Sequence, residues 1–181
     1  MREERAPAYR NATPQDAADL VQLQADAWRA AYRGLMPPAF LEGLDLDAAR
    51  ERCEQALHGG ASMLVIEESG QVVGSCHFET RGDGRDGITP VELLALNVAP
   101  KSWRRGHGSS LLVAMFGRLR ATGCDEVFLW VLSGNVPARR LYEATGFKTD
   151  GDARTNRELT GFPLHEVCYR RQLTDDDLVT S

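Results

Sequence analysis

The chain has 181 residues, enough for one domain that buries most of its apolar surface without disulfide or metal staples. Its net charge of −5 argues against a nucleic-acid binder working through bulk positive charge, and leans toward a cationic or neutral second substrate. The cysteines Cys53, Cys76, Cys124 and Cys168 are far apart and form no Cys-x-x-Cys pair, so they read as reduced core thiols rather than a disulfide frame or a metal site.

The opening residues, MREERAPAYR, are too polar for a signal peptide, and no apolar run approaches membrane-spanning length. A cytoplasmic location with no membrane partner is the expectation, with residues 1–6 a loose start. Residues 9–12 suit a short first strand. Thr13-Pro14 followed by Asp16 is a helix start, with a hydroxyl cap, proline at the first position and an acid in the first turn. Leu20, Leu23, Ala27, Ala30 and Ala31 then mark an apolar helical face that runs to about Tyr32, and Gly34 ends it. Pro37-Pro38 opens a second helical piece at 39–44, and Asp45 or Asp47 caps a third at 47–57.

Strands are expected at 62–68 and 71–80, joined by a hairpin at Ser69-Gly70. Residues 81–87, rich in glycine and charge, read as a flexible loop. Further along, strand at 126–132, helix at 135–145, a strand after Gly146-Phe147 and a last strand at 164–173 complete the pattern, with 174–181 a fraying acidic tail. Hairpins followed by strand–helix–strand–helix–strand give a single α+β domain with a mixed sheet.

The centre of the chain is ELLALNVAPKSWRRGHGSSLL, starting at Glu92. Its apolar first third suits a strand covered on both faces, and Pro100 stops the ladder. Arg104-Arg105-Gly106-His107-Gly108 then leads into a helix expected at 109–120. A glycine loop at a helix start gathers unpaired N–H groups that can close on a phosphate, with the arginines as countercharge. The motif points to a pyrophosphate cradle; an ordinary tight strand–helix turn would carry the same glycines. A dinucleotide fingerprint is excluded, because its third glycine would fall at Leu111. One strand further on the logic repeats: a strand ends in Ser133-Gly134-Asn135 and a helix begins, with Ala138, Leu141 and Tyr142 on or near one face. Asn135 alone is a good helix cap, and Tyr142 alone a good core aromatic.

In order and spacing, Val98-x-Pro100, Gly106-x-Gly108 and Asn135-x-x-Ala138-x-x-Leu141-Tyr142-x-x-x-Gly146-Phe147 together resemble the GNAT superfamily of acyl-CoA-dependent N-acyltransferases. The resemblance implies a mostly antiparallel mixed sheet with helices on both faces, whose central parallel strands splay apart around a pantetheine arm. Backbone groups of Leu96 and Val98 would pair with that arm. The pyrophosphate would sit on the loop of Trp103, Arg104, Arg105, Gly106, His107, Gly108, Ser109 and Ser110. Asn135, with Ala138 and Tyr142 beside it, would meet the pantetheine, and Arg139 or Arg140 the nucleotide phosphate. Trp103 departs from the family, which usually carries Gln or Arg there. The cosubstrate implied is acetyl-CoA, with no metal.

Direct transfer from a thioester to an amine needs a neutral amine, a polarised carbonyl and a proton for the leaving thiolate, and no covalent enzyme intermediate. Tyr142 is the expected proton donor, as the family's matching tyrosine is proposed to be. Glu92 is the expected base; it precedes Val98 by an even number of positions and shares its face in an unbulged strand. His107 reads as a solvent-facing loop residue. The resemblance also places Trp28, Tyr32, Arg33, Leu35 and Phe40 near the acceptor, with Glu79 and residues 81–87 as another wall; Trp28 and Tyr32, one turn apart, equally suit a helix packing face. The acceptor expected is an amine of a small molecule or a peptide. Homodimers occur in that family, and the last strand offers an edge for pairing. The alternative reading is a module that senses acyl-CoA without turnover.

Overall fold

The computed structural model describes residues 8–81 and 90–177; most of the loop expected at 81–87 lies outside them. Strand β1 is Ala8–Asn11 and helix α1 is Ala17–Ala31, entered through a 3-10 turn at Pro14–Asp16. The Thr13 N–H and hydroxyl both donate to the Asp16 carboxylate, at 2.7 and 2.9 Å, which fixes that helix start. Helices α2 (Pro38–Glu42) and α3 (Leu46–His58) follow, then β2 (Ser62–Glu68) and β3 (Gln71–Thr80). Next come β4 (Val91–Val98), α4 (His107–Ala121), β5 (Glu126–Leu132), α5 (Val136–Ala144), β6 (Lys148–Asn156) and β7 (Leu164–Gln172). Helix α4 starts two residues before its expected start at Ser109, because Gly106 at φ +85° serves as its N-cap. Only glycine takes that backbone conformation without strain.

The strands form one seven-stranded sheet in the order β1-β2-β3-β4-β5-β7-β6. Every neighbouring pair is antiparallel except β4 and β5. The mixed α+β architecture read from the sequence is therefore present. The last strand is not an edge, however. It lies between β5 and β6, and the edges are β1 and β6. A strand that follows a hairpin need not finish outermost, and its place in the chain could not reveal the insertion. The acidic tail is also tied down as far as it is described: Arg120 pairs with Asp175 at 2.6 Å and Arg171 with Asp177 at 2.6 Å.

Alternation along the strands divides the core. Leu64, Ile66, Cys76, Val91 and Leu93 face α4 and pack on Leu111, Leu112, Met115 and Phe116, with Tyr142 and Phe147 in the same cluster. Val65 points the other way and meets Leu20 of α1 and Leu57 of α3. Helices thus cover both faces.

The strands that matter for function part company early. Among the described residues β4 and β5 pair only at Val91–Val127 and Glu92–Phe128. β4 continues alongside β3 to Val98, and β5 alongside β7 to Leu132, so the two diverge from that point. A bulge follows the last shared rung: Phe78 pairs with Leu93 but His77 pairs with Ala95. One extra residue bends and twists its strand, and here the bend opens the sheet between β4 and β5.

Candidate active site

A cavity of about 540 Å³ lies at this opening, within the size range of small-molecule sites. Its walls come from both faces of the sheet. Trp28 of α1 and Tyr32 just past its end stand on one side, Gly108 and Ser109 of α4 with Ala138 and Tyr142 of α5 on the other, and Leu96 and Val98 along the open edge of β4.

The backbone of that edge has no strand partner toward the gap. The Ala99 N–H donates to the Val73 carbonyl at 2.9 Å, so the alternation of an antiparallel ladder turns the N–H and C=O groups of Leu96 and Val98 away from β3. At the mouth, the loop from Arg104 to Gly108 presents its amides at the start of α4, where the helix dipole favours an anion. Arg104, in the left-handed region at φ +61°, lines the cavity. Together these groups fit a ligand with a phosphate head and an extended amide-bearing arm.

Several residues named from the sequence have other duties. Arg105 does not line the cavity; its guanidinium bonds Glu68, the last residue of β2, at 2.9 Å. His107 is not solvent-facing, being 4% exposed with Nε2 3.1 Å from the other oxygen of Glu68. Glu68 thus lies behind the loop, hydrogen-bonded to Arg105 and beside His107 Nε2, which has no hydrogen-bond partner among the described residues. Gly108 is small for a packing reason, since a Cβ there would come within 3.0 Å of the Leu141 side chain. The Ser110 N–H is the first helical bond of α4, to the Gly106 carbonyl at 2.9 Å. Arg139 bonds the Tyr169 hydroxyl and the Ser133 carbonyl, each at 3.0 Å, and is not free for a phosphate; Arg140 is exposed.

Asn135 is the expected helix cap and also lies on the cavity wall. Its Oδ1 accepts from the Ala138 N–H at 3.3 Å as the cap of α5, and the residue also borders the cavity. Tyr142 is 8% exposed, stacked edge-on against Phe147, and still reaches the cavity wall. Burial pushes its phenol well above the ordinary value, so it holds its proton throughout the neutral range.

The bulge changes the placing of Glu92. Slipping the register by one residue turns its side chain to the face opposite those of Leu96 and Val98. That is the α1 face, and Glu92 stands there directly across from Glu79. Arg81 bridges the two carboxylates, at 2.6 Å from Glu92 and 3.2 Å from Glu79. Trp28 and Tyr32 combine both readings as well. Their rings lie 5.9 Å apart and pack with Phe40 over Met36 and Leu132, while both also line the cavity. No motif or spacing points to Glu68; only its contact across the sheet end marks it.

No group of three or more metal-ligating side chains occurs among the described residues, and no helix described is long and apolar enough to cross a membrane. Among the described residues all four cysteines are free, with Cys76 and Cys168 buried.

Comparison with known proteins meets this geometry. Residues 19–147 match the model of the acetyltransferase (GNAT) family. A probable N-acetyltransferase of Mycobacterium tuberculosis is 31% identical over 166 residues, covering 89% of this chain and 91% of its own. An aminoglycoside N(6')-acetyltransferase of Stenotrophomonas maltophilia is 31% identical over 148 residues, covering 79% of this chain and 87% of its own. Among solved structures, an N-acetyltransferase of Thermoplasma acidophilum in complex with coenzyme A superposes with a TM-score of 0.72 at 15% identity, over 92% of this chain and 99% of that one.

Proposed function

The chain belongs to the acetyltransferase (GNAT) family and is an N-acetyltransferase; from that premise we propose that it moves an acetyl group directly from acetyl-CoA to a primary amine of a small molecule or a peptide. The observation that carries the reading is the opening between β4 and β5, which joins a phosphate-binding helix start to a buried tyrosine through an unpaired strand edge.

Acetyl-CoA supplies the activated acetyl group. The loop amides and Arg104 hold its diphosphate, the free backbone groups of Leu96 and Val98 hold its amide arm as an added strand would be held, and Asn135 supports that arm. A backbone N–H on this edge polarises the thioester carbonyl. As the new C–N bond forms and the C–S bond breaks, Glu92 takes the proton from the amine, directly or through water. Tyr142 gives its proton to the sulfur. Trp28, Tyr32 and Glu79 border the acceptor. The aminoglycoside relative, whose name gives an amine as its target, supports a small-molecule acceptor.

A panel of polyamines, aminoglycosides, amino acids and N-terminal peptides, assayed with acetyl-CoA by free-thiol detection, tests the proposal. Thiol release that depends on one class of amine is expected. Coenzyme binding without release from any amine would replace the enzyme reading with that of an acyl-CoA sensor.

A further inference from the structure

The open edge of β4 is not wholly open. The Trp103 indole Nε1 donates to the Val98 carbonyl at 2.6 Å, and Trp103 lines the same cavity. Val98 is the last residue of β4, so its carbonyl is the first strand-edge acceptor met on leaving the phosphate loop. Trp103 itself is 41% exposed, unusual for so large an apolar side chain. It is anchored by little besides that one bond, and nothing in the hydrophobic core clusters includes it.

We propose that Trp103 is a displaceable gate. Its indole N–H satisfies the Val98 carbonyl in the free protein, and the first amide N–H of the pantetheine arm takes that acceptor when coenzyme A binds. This rests on the coenzyme reading above and adds to it a residue whose own bond the ligand must break. The chemistry is direct: pantetheine carries secondary amides on an extended chain, and such a chain pairs with a strand edge only through free backbone groups. Val98 is half-buried and its bond to Trp103 lies toward solvent, so until the ligand arrives the indole occupies an acceptor that water would otherwise fill. The exchange swaps one N–H donor for another at the same oxygen. Coenzyme affinity is then lowered by the strength of the indole bond.

Calorimetry of the wild-type protein and the Trp103→Phe variant, each titrated with coenzyme A and with adenosine 3',5'-bisphosphate, separates the outcomes. Phenylalanine keeps a ring in the cavity and removes the N–H. The gate predicts that Trp103→Phe binds coenzyme A about three- to ten-fold more tightly, the range of one ordinary hydrogen bond, with binding of the bisphosphate unchanged because it has no pantetheine. Equal or weaker coenzyme A binding by the variant would overturn the gate, and weaker binding of both ligands would show Trp103 to be a brace for the loop. If the wild type itself gives no heat with coenzyme A, the coenzyme reading fails before the gate is at issue. In wild-type protein labelled with 15N-tryptophan, one of the three indole N–H signals is expected to move on coenzyme A addition to the position of a solvent-exposed indole. A Trp103 signal that stays put while the ligand saturates would also overturn the gate.

Discussion

At the proposed phosphate end of the cleft the groups on offer are backbone amides within one loop, fixed by the positive φ of Arg104 and Gly106. At the acceptor end they are side chains from α1, β3 and β4, set by the bulge and by packing across the sheet. Both ends hold an arginine against a carboxylate of the protein, Arg105 on Glu68 and Arg81 on Glu92. The roles differ. Glu68 lies behind the loop and braces it, whereas Arg81 lies on the very carboxylate proposed to act on the amine. The loop backbone at the proposed phosphate end is thus set in advance of its ligand, with only the Trp103 side chain to be displaced, and the acceptor end must rearrange around its own.

That contrast can be broken at several points. The largest effect is expected at the chemistry shared by both ends. Tyr142→Phe removes the proton donor and should lower kcat by about ten-fold or more, with coenzyme affinity by calorimetry nearly unchanged. Undiminished kcat, with chemistry shown to be rate-limiting, would remove that role. Glu92→Gln should lower kcat by about ten-fold. An unaltered kcat, with chemistry shown to be rate-limiting, would leave the proton to another group.

The brace predicts a different pattern. Glu68→Gln loosens Arg105 and should raise KM for acetyl-CoA by about three-fold, the loss of one charge-assisted contact, more than it changes kcat. A change confined to kcat would contradict the bracing role.

How much of this could be read from the chain follows the same division. The strand, the Pro100 stop, the glycine loop and the cap at Asn135 are local events, encoded by neighbours in sequence, and each appears where expected. What escaped involves distant partners. The buried His107 needs Glu68 from another strand, and the commitment of Arg139 needs Tyr169. The bulge at Leu93–Ala95 follows from how β4 fits β3, so the face of Glu92 could not be counted from Val98 alone. The place of β7 inside the sheet is likewise a matter of topology, invisible to periodicity.

The smallest effect on catalysis is expected far from both ends, and it serves as the control. Arg10 bonds Asp16 at 2.7 Å and Glu67 at 2.6 Å, tying β1 and the start of α1 to β2. Hydrogen bonding by Arg10, joined by the Thr13 N–H and hydroxyl, outweighs burial and holds the Asp16 carboxyl down to about 2. A depressed carboxylate adds stability above its unfolded pKa of about 4, and that increment fades as pH falls from about 4 toward 2. Asp16→Asn should therefore cost about 1–2 kcal/mol at pH 7, allowing for the partial exposure of Arg10, and the difference from wild type should shrink over that acid window in chemical denaturation. A gap that persists at pH 2 would mean the loss lies in packing and not in the ion pair.

The central claim is that the parted strands β4 and β5, with the loop from Trp103 to Ser109, form the seat of a coenzyme A thioester. Calorimetric titration of the wild-type protein with coenzyme A tests it most directly. A saturable heat with one ligand per chain is the predicted result; no heat at millimolar coenzyme A would contradict it.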